Sequence, residues 1–183
     1  MRITTFGRGN IGGTLGRLWA SAGHEVTQLG RDGGDASDAD VILIAVLSEA
    51  VPEALTRVTG LDGKVVLDAT NRMSAAPPAG YPSIAEYIKA QTGGPTAKAF
   101  NLNFAALLEQ AAQASRRPSN LWVGDEGARD AVEQLSREIG MEAVYGGPLE
   151  RAATTEAFAE ILVTILREAG APVFYRFATP QNL

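Results

Sequence analysis

A short apolar run that leads into three spaced glycines is the feature that most constrains the fold of this chain. Residues 3–6 are followed by Gly7, Gly9 and Gly12 in the pattern G-x-G-x-x-G, and a helical pattern follows. In a strand–turn–helix unit of this kind, the first glycine permits the tight turn and the second lets the backbone approach a pyrophosphate. The third lets the helix pack closely on the strand. The N-terminal segment therefore predicts a dinucleotide-binding site, with the N–H groups of the first helical turn facing the anion.

Strand-like and helix-like segments alternate along the chain, which is typical of a Rossmann-type, doubly wound parallel sheet. Residues 40–46 and 63–68 contain continuous apolar runs, as expected for strands that are covered on both faces. The predicted strands are residues 2–6, 25–29, 40–46, 63–68, 96–100, 120–123 and a short one at 142–145. The predicted helices are residues 11–22, 49–58, 83–92, 104–114, 126–139 and 148–169.

The length of 183 residues favours one large domain with a helical extension. We assign residues 1–147 to a nucleotide-binding domain and residues 148–183 to a C-terminal helix and tail that belong to the same unit. Pro148 suits the first turn of this helix and Gly170 suits its end. Residues 158–166 are apolar on most of the helix circumference, so we expect a homodimer contact there. Coverage by a loop of the same chain is the alternative.

The connection after the second strand is too short for a complete nucleotide-binding half. Residues 30–39 have to replace the helix and the further strand that a full doubly wound half carries at this point. The sequence predicts neither element in this loop. We therefore expect a shortened nucleotide half with an open adenine side.

The residues at the end of the second strand favour NADP(H) over NAD(H). An NAD site usually has Asp or Glu there to bind the ribose 2′-hydroxyl, whereas this chain has Gly30 and Arg31. Gly30 leaves room for a phosphate, and Arg31 offers it a bidentate guanidinium group. Arg8 adds a second positive charge near this phosphate or the pyrophosphate. Asp32 is the alternative, since a shift of the turn by one residue brings its carboxylate to the ribose.

Composition excludes several classes of function. A net charge of −5 argues against nucleic acid as a partner, and no apolar run reaches the length of about 20 residues that crosses a bilayer. The chain has no cysteine and one histidine, so disulfides, thiolate nucleophiles and cysteine-built zinc sites are excluded. His24 falls in a turn at the far end of the sheet, where we expect a structural role. We predict a cytoplasmic protein with no membrane insertion and no metal site.

Uncharged polar residues follow the predicted strands where open α/β sheets bind ligands. Thr70, Asn71, Asn101 and Asn103 lie at or just after these strand ends. Their side chains can bond a carboxamide or carbonyl groups without titrating, or they satisfy loop backbone instead. Lys98 is the nearest candidate acid or base, and its position inside a predicted strand favours a solvated side chain or a salt bridge.

Four segments spread over nearly the whole chain resemble the NADPH-dependent oxidoreductases of the deazaflavin coenzyme F-420. They also resemble the NADPH domain of the six-transmembrane metalloreductases. The segments are G-R-G-N-I-G at residues 7–12, D-A-T-N at 68–71, K-A-F-N at 98–101 and G-G-P-L at 146–149. The chain departs from these families in its shortened nucleotide half and in Leu102-Asn103-Phe104.

The resemblance implies a flavin or deazaflavin acceptor whose ring lies against the nicotinamide, with Asn101 and Gly147 on the acceptor side. We add Asn103 to the acceptor side from its position just after a predicted strand. The aromatic tail at residues 174–177 either covers this ring or packs against a partner subunit. The cofactor residues are Gly7, Arg8, Gly9, Asn10, Ile11 and Gly12 for the pyrophosphate, Arg31 for the 2′-phosphate, and Ala45, Val46, Leu47, Ala69, Thr70 and Asn71 for the ribose and nicotinamide.

Hydride transfer between a nicotinamide and a flavin-type ring needs orientation rather than a protein acid or base. The sequence therefore predicts an NADP(H)-dependent oxidoreductase without a catalytic acid or base. A non-catalytic module that binds or senses NADP(H) is the alternative.

Overall fold

The computed structural model describes residues 1–72 and 76–182, which form a mostly parallel sheet covered by helices. In chain order the strands are β1 (Arg2–Phe6), β2 (Glu25–Leu29), β3 (Gly34–Asp35), β4 (Val41–Ile44), β5 (Val58–Thr59), β6 (Val65–Asp68), β7 (Thr96–Lys98), β8 (Ser119–Gly124) and β9 (Glu142–Tyr145). The helices are α1 (Asn10–Ser21), α2 (Val51–Leu55), α3 (Ile84–Thr92), α4 (Ala105–Leu108), α5 (Arg129–Glu138) and α6 (Ala152–Ala169). Short 3₁₀ turns occupy Ser48–Ala50, Ala111–Gln113, Glu126–Ala128, Leu149–Arg151 and Pro180–Asn182.

The main sheet has seven strands in the order β2-β1-β4-β6-β7-β8-β9, and β3 pairs with β5 in a separate ribbon. Every residue of the central strand β4 is buried, because successive side chains point to opposite faces that are both covered. One face belongs to a core cluster with Trp19 of α1, and the other to a cluster with Ile88 of α3. The predicted Rossmann-type α/β fold is confirmed, although β4 ends earlier than the predicted strand.

Strand β8 runs antiparallel to β7, with Ala97 opposite Gly124, whereas the other neighbouring pairs of the main sheet are parallel. The predicted parallel sheet is therefore mostly parallel, with one antiparallel pair that the sequence did not predict. A parallel connection needs a crossover that returns the chain to the opposite edge of the sheet. The predicted helix 104–114 is broken into the four-residue α4 and a 3₁₀ turn, so the chain re-enters the sheet at the edge where β7 ends. Consequently β8 and β9 end at the edge opposite to the ends of β1, β4 and β6.

The connection after β2 contains a strand that the sequence did not predict. The two residues of β3 pair in parallel with β5, with Gly34 opposite Val58. The amide of Gly34 donates to the carbonyl of Arg57 at 3.0 Å. The predicted helix 49–58 is correspondingly shorter, because α2 ends at Leu55 and the chain is extended at β5. The ribbon satisfies backbone groups of a loop that is too short for its own helix, and it fixes that loop beside α2.

The C-terminal helix and tail pack on the same chain. Helix α6 follows a 3₁₀ turn after Pro148 and ends at Gly170, which has the left-handed conformation with φ 69°. In the tail, the carbonyl of Tyr175 accepts a hydrogen bond from the amide of Ser119 and its hydroxyl accepts one from the amide of Leu121, both at 2.9 Å. Burial raises the pKa of Tyr175 to about 12. The tail thus lies against β8 of its own chain. The sequence analysis had predicted that it covers the acceptor ring or packs against a partner subunit, and it had not predicted this contact.

An apolar stripe on α6 is exposed in the single chain. Ile161 and Ile165 are 54% and 43% exposed, whereas Ala159 and Leu162 are buried against Leu102. Within the part of the chain that the structure describes, no loop covers the two isoleucines. A homodimer through this stripe therefore stays a prediction. No helix among the described residues is long and apolar enough to cross a membrane.

We predict that Ile161→Asp and Ile165→Asp convert a wild-type dimer into monomers without lowering the melting temperature of the monomeric chain. Each aspartate stays hydrated in a monomer but is buried without a partner in an interface. Light scattering at micromolar concentration measures the mass, and Arg167→Asp, which is exposed on α6 but turned away from the isoleucine stripe, is the matched control. A monomeric wild-type protein would contradict the prediction.

Candidate functional site

A cleft of about 820 Å³ lies where β1, β4 and β6 end, and its size is typical of small-molecule sites. It brings together most of the residues that the sequence predicted for a dinucleotide. The predicted residues that line it are Gly7, Arg8, Gly9, Asn10, Ile11, Gly30, Arg31, Ala45, Val46, Leu47, Ala69, Thr70 and Asn71. The lining residues that the sequence analysis did not identify are Phe6, Ala50, Glu53, Ala54 and Arg57.

The glycines of the G-x-G-x-x-G segment have different surroundings. Gly7 has φ 111°, and a Cβ there would lie 2.3 Å from the carbonyl oxygen of Ala45. A Cβ on Gly12 would lie 2.0 Å from the carbonyl oxygen of Gly7, so Gly12 is needed for packing and does not line the cleft. A Cβ on Gly9, by contrast, would meet no atom within 4 Å and would occupy open space. The glycine loop therefore packs closely against the rest of the protein at Gly7 and Gly12, whereas Gly9 has open space next to it.

The N-terminus of α1 is available to an anion. No side chain caps the helix at Gly9, and its first turn contains no acidic residue. The first N–H groups of a helix have no partner within the helix and carry a partial positive charge. Together with the free side of Gly9, this fits the pyrophosphate of a dinucleotide.

Three arginines line the cleft near Gly30. The guanidinium of Arg8 lies over Gly30 so closely that a Cβ on this glycine would be 2.0 Å from Arg8 Nη2. Among the described residues, neither Arg8 nor Arg31 forms an ion pair, whereas Arg57 pairs with Glu53. Gly30 therefore makes room for the guanidinium of Arg8, a different role from the room for a phosphate that the sequence suggested. Asp32, the alternative ribose ligand, is exposed and is not part of the cleft lining.

Glu53 and Arg57 were not predicted as cleft residues, although their spacing of four residues and opposite charges are visible in the sequence. They are four residues apart, with Glu53 in α2 and Arg57 just after its end, whereas Val51 and Leu55 of the same helix are buried. An i,i+4 pair of opposite charge predicts a surface ion pair. The sequence pattern does not show that this surface lines a cleft, because the cleft also requires the loop with Gly30 and Arg31.

Asn71 lines the inner end of the cleft, which residues 69–71 form, and it is paired with Asn101, which does not itself line the cleft. Asn71 Nδ2 donates to the carbonyl of Asn101, and Asn101 Nδ2 donates to Asn71 Oδ1 at 3.0 Å. The first bond matches the alternative in which asparagine satisfies loop backbone. Asn101 Oδ1, however, is buried and has no hydrogen-bond partner among the described residues. The preceding Phe100 has φ 63°, the one positive value outside glycine in the described chain, and such strain is concentrated at functional sites.

The structure does not bring Asn103 and Gly147 to the cleft. Asn103 is buried, and its Nδ2 donates to Asn120 Oδ1 at 3.2 Å. The carbonyl of Gly147 accepts from the amide of Gly124, which lies where β7 begins. Because β8 is antiparallel, the end of β9 falls at the far edge of the sheet. The acceptor contact that the resemblance implied for Gly147 therefore does not fall in the cleft.

Lys98 forms a buried ionic cluster beneath the cleft. Its Nζ lies 2.9 Å from Asp68 Oδ2 and 2.7 Å from Glu156 Oε1 of α6, and all three side chains are inaccessible to solvent. The same nitrogen donates to Thr70 Oγ1 at 3.3 Å. The salt-bridge prediction is confirmed, and the solvated alternative was wrong. Lys98 ties α6 to the residue that lines the inner end of the cleft.

His24 lies away from the cleft. Its Nε2 is 2.6 Å from Glu138 Oε2 and its Nδ1 is 3.0 Å from the N-terminal amine. These contacts join β2, α5 and the start of β1, which agrees with a structural role. In residues 1–72 and 76–182, no group of three His, Cys, Asp or Glu side chains is arranged to hold a metal ion.

Comparison with solved structures shows which proteins share this fold. A candidate F420-dependent NADP-reductase from Arthrobacter sp. FB24 superposes with a TM-score of 0.82 at 20% identity, over 98% of this chain and 100% of that one. A reductive aminase from Aspergillus terreus, in complex with NADPH and ethyl levulinate, has a TM-score of 0.66 at 18% identity. It is matched over 92% of this chain, which spans 62% of that protein. A 3-hydroxyisobutyrate dehydrogenase from Mycobacterium tuberculosis has a TM-score of 0.61 at 14% identity, over 99% of this chain and 67% of that one.

No protein-family model matches the chain, and no curated protein matches it at the level of sequence. Identities of this size establish the fold alone. Nothing among the neighbours described here supports the resemblance to the six-transmembrane metalloreductases.

We predict that Lys98→Ala lowers the free energy of unfolding by about 3–5 kcal/mol, because it leaves the buried Asp68 without a counter-ion and leaves Glu156 only its longer contact with Arg72, at 3.9 Å. Urea unfolding measures this cost. Lys89→Ala is the matched control, since Lys89 also pairs with an aspartate, Asp125 at 2.7 Å, but is 38% exposed. We expect that control to cost less than about 1 kcal/mol. Equal losses for the two variants would contradict the description of the Lys98 cluster as buried and closely paired.

Proposed function

We propose that this protein is an NADP(H)-dependent oxidoreductase that passes hydride between NADPH and a planar flavin or deazaflavin acceptor. The observation that carries the proposal is the charge of the cleft near Gly30. Arg8 and Arg31 have no carboxylate partner among the described residues, and Glu53 is the one acidic residue that lines the cleft. In a chain of net charge −5, this local excess of positive charge fits a nucleotide that carries an additional phosphate.

The remaining contacts of the nucleotide follow from the cleft lining. The pyrophosphate lies in our proposal at Gly9 and the N-terminus of α1, with the 2′-phosphate at Arg31 and Arg8. Ala45, Val46 and Leu47 follow β4 and border the ribose, and residues 69–71 follow β6 and border the nicotinamide. The reductive aminase, a protein of similar fold, was solved in complex with NADPH, which supports this choice of cofactor.

The chemistry of the reaction requires little from titratable side chains. NADPH supplies a hydride when bound, and a two-electron acceptor takes up this hydride together with a proton from water. Among the described residues, the titratable groups that line the cleft are Arg8, Arg31, Glu53 and Arg57. Lys98, which donates to Thr70 of the cleft lining, is held by Asp68 and Glu156. The protein therefore acts by binding, orientation and exclusion of water.

The Asn71–Asn101 pair beside the inner end of the cleft favours a ring with N–H donors as the acceptor. Asn101 Oδ1 is buried without a partner in the described chain, and a buried acceptor of this kind is costly unless a ligand satisfies it. Flavins and deazaflavins carry a ring N–H flanked by carbonyl groups. Asn101, held by Asn71, is the acceptor-side residue that we retain, whereas Asn103 and Gly147 have no part in the proposed site.

We predict that Arg31→Ala weakens NADPH binding about 10- to 100-fold and leaves NADH binding nearly unchanged. The loss corresponds to a charge-assisted hydrogen bond of roughly 1.5–3 kcal/mol that only the 2′-phosphate makes. Isothermal titration of both nucleotides measures it. Arg116→Ala, an exposed arginine outside the cleft, controls for the change in net charge. Equal losses for NADPH and NADH would reject Arg31 as the phosphate ligand.

We predict that NADPH is oxidised in the presence of at least one member of a panel of FMN, FAD, riboflavin and coenzyme F-420. Since no side chain of the protein has to titrate, the rate should change little between about pH 6 and 8. Asn101→Ala should mainly raise the KM for the acceptor. The absorbance of the reduced nicotinamide follows the reaction.

Two results would redirect the proposal. Tight NADPH binding with no turnover on any acceptor would favour the alternative of a binding or sensing module. NADP-linked oxidation of an alcohol with no flavin or deazaflavin reduction would overturn the proposed acceptor class.

A further inference from the structure

We infer that Arg57 exchanges its ion-pair partner Glu53 for the phosphate monoester of the nucleotide when the nucleotide binds. In this inference Arg57 is a specificity-determining phosphate ligand, and Glu53 holds it until the phosphate binds. The inference rests on the proposed function, because the phosphate in question is the 2′-phosphate of NADP(H). It assigns roles to two residues of α2 and its C-terminal end that neither the glycine motif nor the second strand predicts.

The location of the pair is the first argument. Glu53 and Arg57 line the same cleft as Gly30 and Arg31. Their side chains are 70% and 45% exposed, so solvent and ligands reach both. A phosphate bound by Arg31 at this end of the cleft therefore comes close to the Arg57 guanidinium.

The anchoring of Arg57 is the second argument. Arg57 Nη1 donates to the carbonyl of Arg31 at 2.8 Å, and the carbonyl of Arg57 accepts from the amide of Gly34. A Cβ on Gly33 would lie 1.8 Å from the Arg57 carbonyl oxygen, which shows how closely the two segments pack. A guanidinium has five N–H donors. Arg57 can therefore keep its bond to the Arg31 carbonyl while its other donors change from Glu53 to a phosphate.

The relative strength of the two partners is the third argument. An exposed carboxylate–guanidinium pair four residues apart on a helix shifts an equilibrium by only about two- to five-fold. A bidentate bond between arginine and phosphate is worth about 10- to 100-fold. The phosphate therefore displaces Glu53 from Arg57, whereas the uncharged 2′-hydroxyl of NAD(H) does not. The pair should consequently separate NADPH from NADH.

The roles of the two residues predict opposite effects of substitution. Arg57→Ala removes a phosphate ligand and should weaken NADPH binding about 10-fold or more. Glu53→Gln frees Arg57 and should tighten NADPH binding about two- to five-fold. Neither change should tighten or weaken NADH binding more than about two-fold. The gain from Glu53→Gln should disappear in the Arg57→Ala background, since Glu53 acts through Arg57.

Isothermal titration of NADPH and NADH into wild-type protein and these variants tests the inference. The exposed pair Arg17–Glu109, at 2.8 Å and outside the cleft, provides matched controls in Arg17→Ala and Glu109→Gln, which should change neither affinity. Arg57→Gln keeps a donor for the Arg31 carbonyl and replaces Arg57→Ala if the latter does not fold. Melting temperatures identify any such variant.

The outcomes separate this inference from the proposed function. If the wild-type protein binds neither nucleotide, the proposed function itself fails. If it prefers NADPH but the Arg57 variant weakens both nucleotides equally, or neither, Arg57 is not a phosphate ligand and the inference is overturned. A gain from Glu53→Gln that persists without Arg57 would overturn the holding role of Glu53. The predicted pattern, opposite effects on NADPH and coupling between the two sites, would establish the exchangeable pair.

Discussion

The close approach of the glycine loop to β4 is the constraint on which the cleft depends. Gly7 and Gly12 bring the end of β1, the start of α1 and Ala45 to distances at which no Cβ fits. This contact holds the first turn of α1 directly above the sheet, so that its unpaired N–H groups face the cleft. Any side chain at either glycine would push α1 away from β4. The cleft would then lose the wall that the ends of β4 and β6 share.

A second constraint connects the two halves of the molecule. Lys98 lies at the end of β7, where the parallel half of the sheet meets the reversed half, and it is bonded to Asp68 of β6 and Glu156 of α6. The amide of Thr70 also donates to Asp68, at 2.8 Å. Buried charges are tolerated only when they are paired and hydrogen-bonded. The cluster thus fixes α6 across the sheet and holds the backbone that borders the inner end of the cleft.

Much of the fold and of the cleft lining was predictable, because those features depend on local pattern. The glycine spacing and the apolar strands around it specify one strand–turn–helix unit, and Ala45 and Thr70 follow directly from strands that end there. The long helix up to Gly170 was readable for the same reason. The direction of β8 could not be predicted, because a buried strand has the same apolar pattern in either direction. That one reversal moved Gly147 to the far edge of the sheet.

The charged residues show a similar limit. A lysine inside an apolar strand is itself a signal of a buried ion pair, but its partner Glu156 is more than fifty residues away and is selected by the packing of α6. Glu53 and Arg57 were recognisable as a helical ion pair and not as part of a cleft. Their environment is formed by the ribbon between β3 and β5, whose strands have only two residues each and leave almost no pattern in the sequence.

The central claim is that the positively charged end of the cleft selects a phosphorylated dinucleotide. The most direct measurement is the affinity of the unmodified protein for NADP⁺ and NAD⁺, each at low and at high ionic strength. The account predicts a preference for NADP⁺ of about 10-fold or more in low salt. That preference should shrink as salt screens the exposed arginines, because NAD⁺ lacks the 2′-phosphate and its affinity should fall less with salt than that of NADP⁺. Equal affinities, or a preference for NAD⁺ at both ionic strengths, would contradict it.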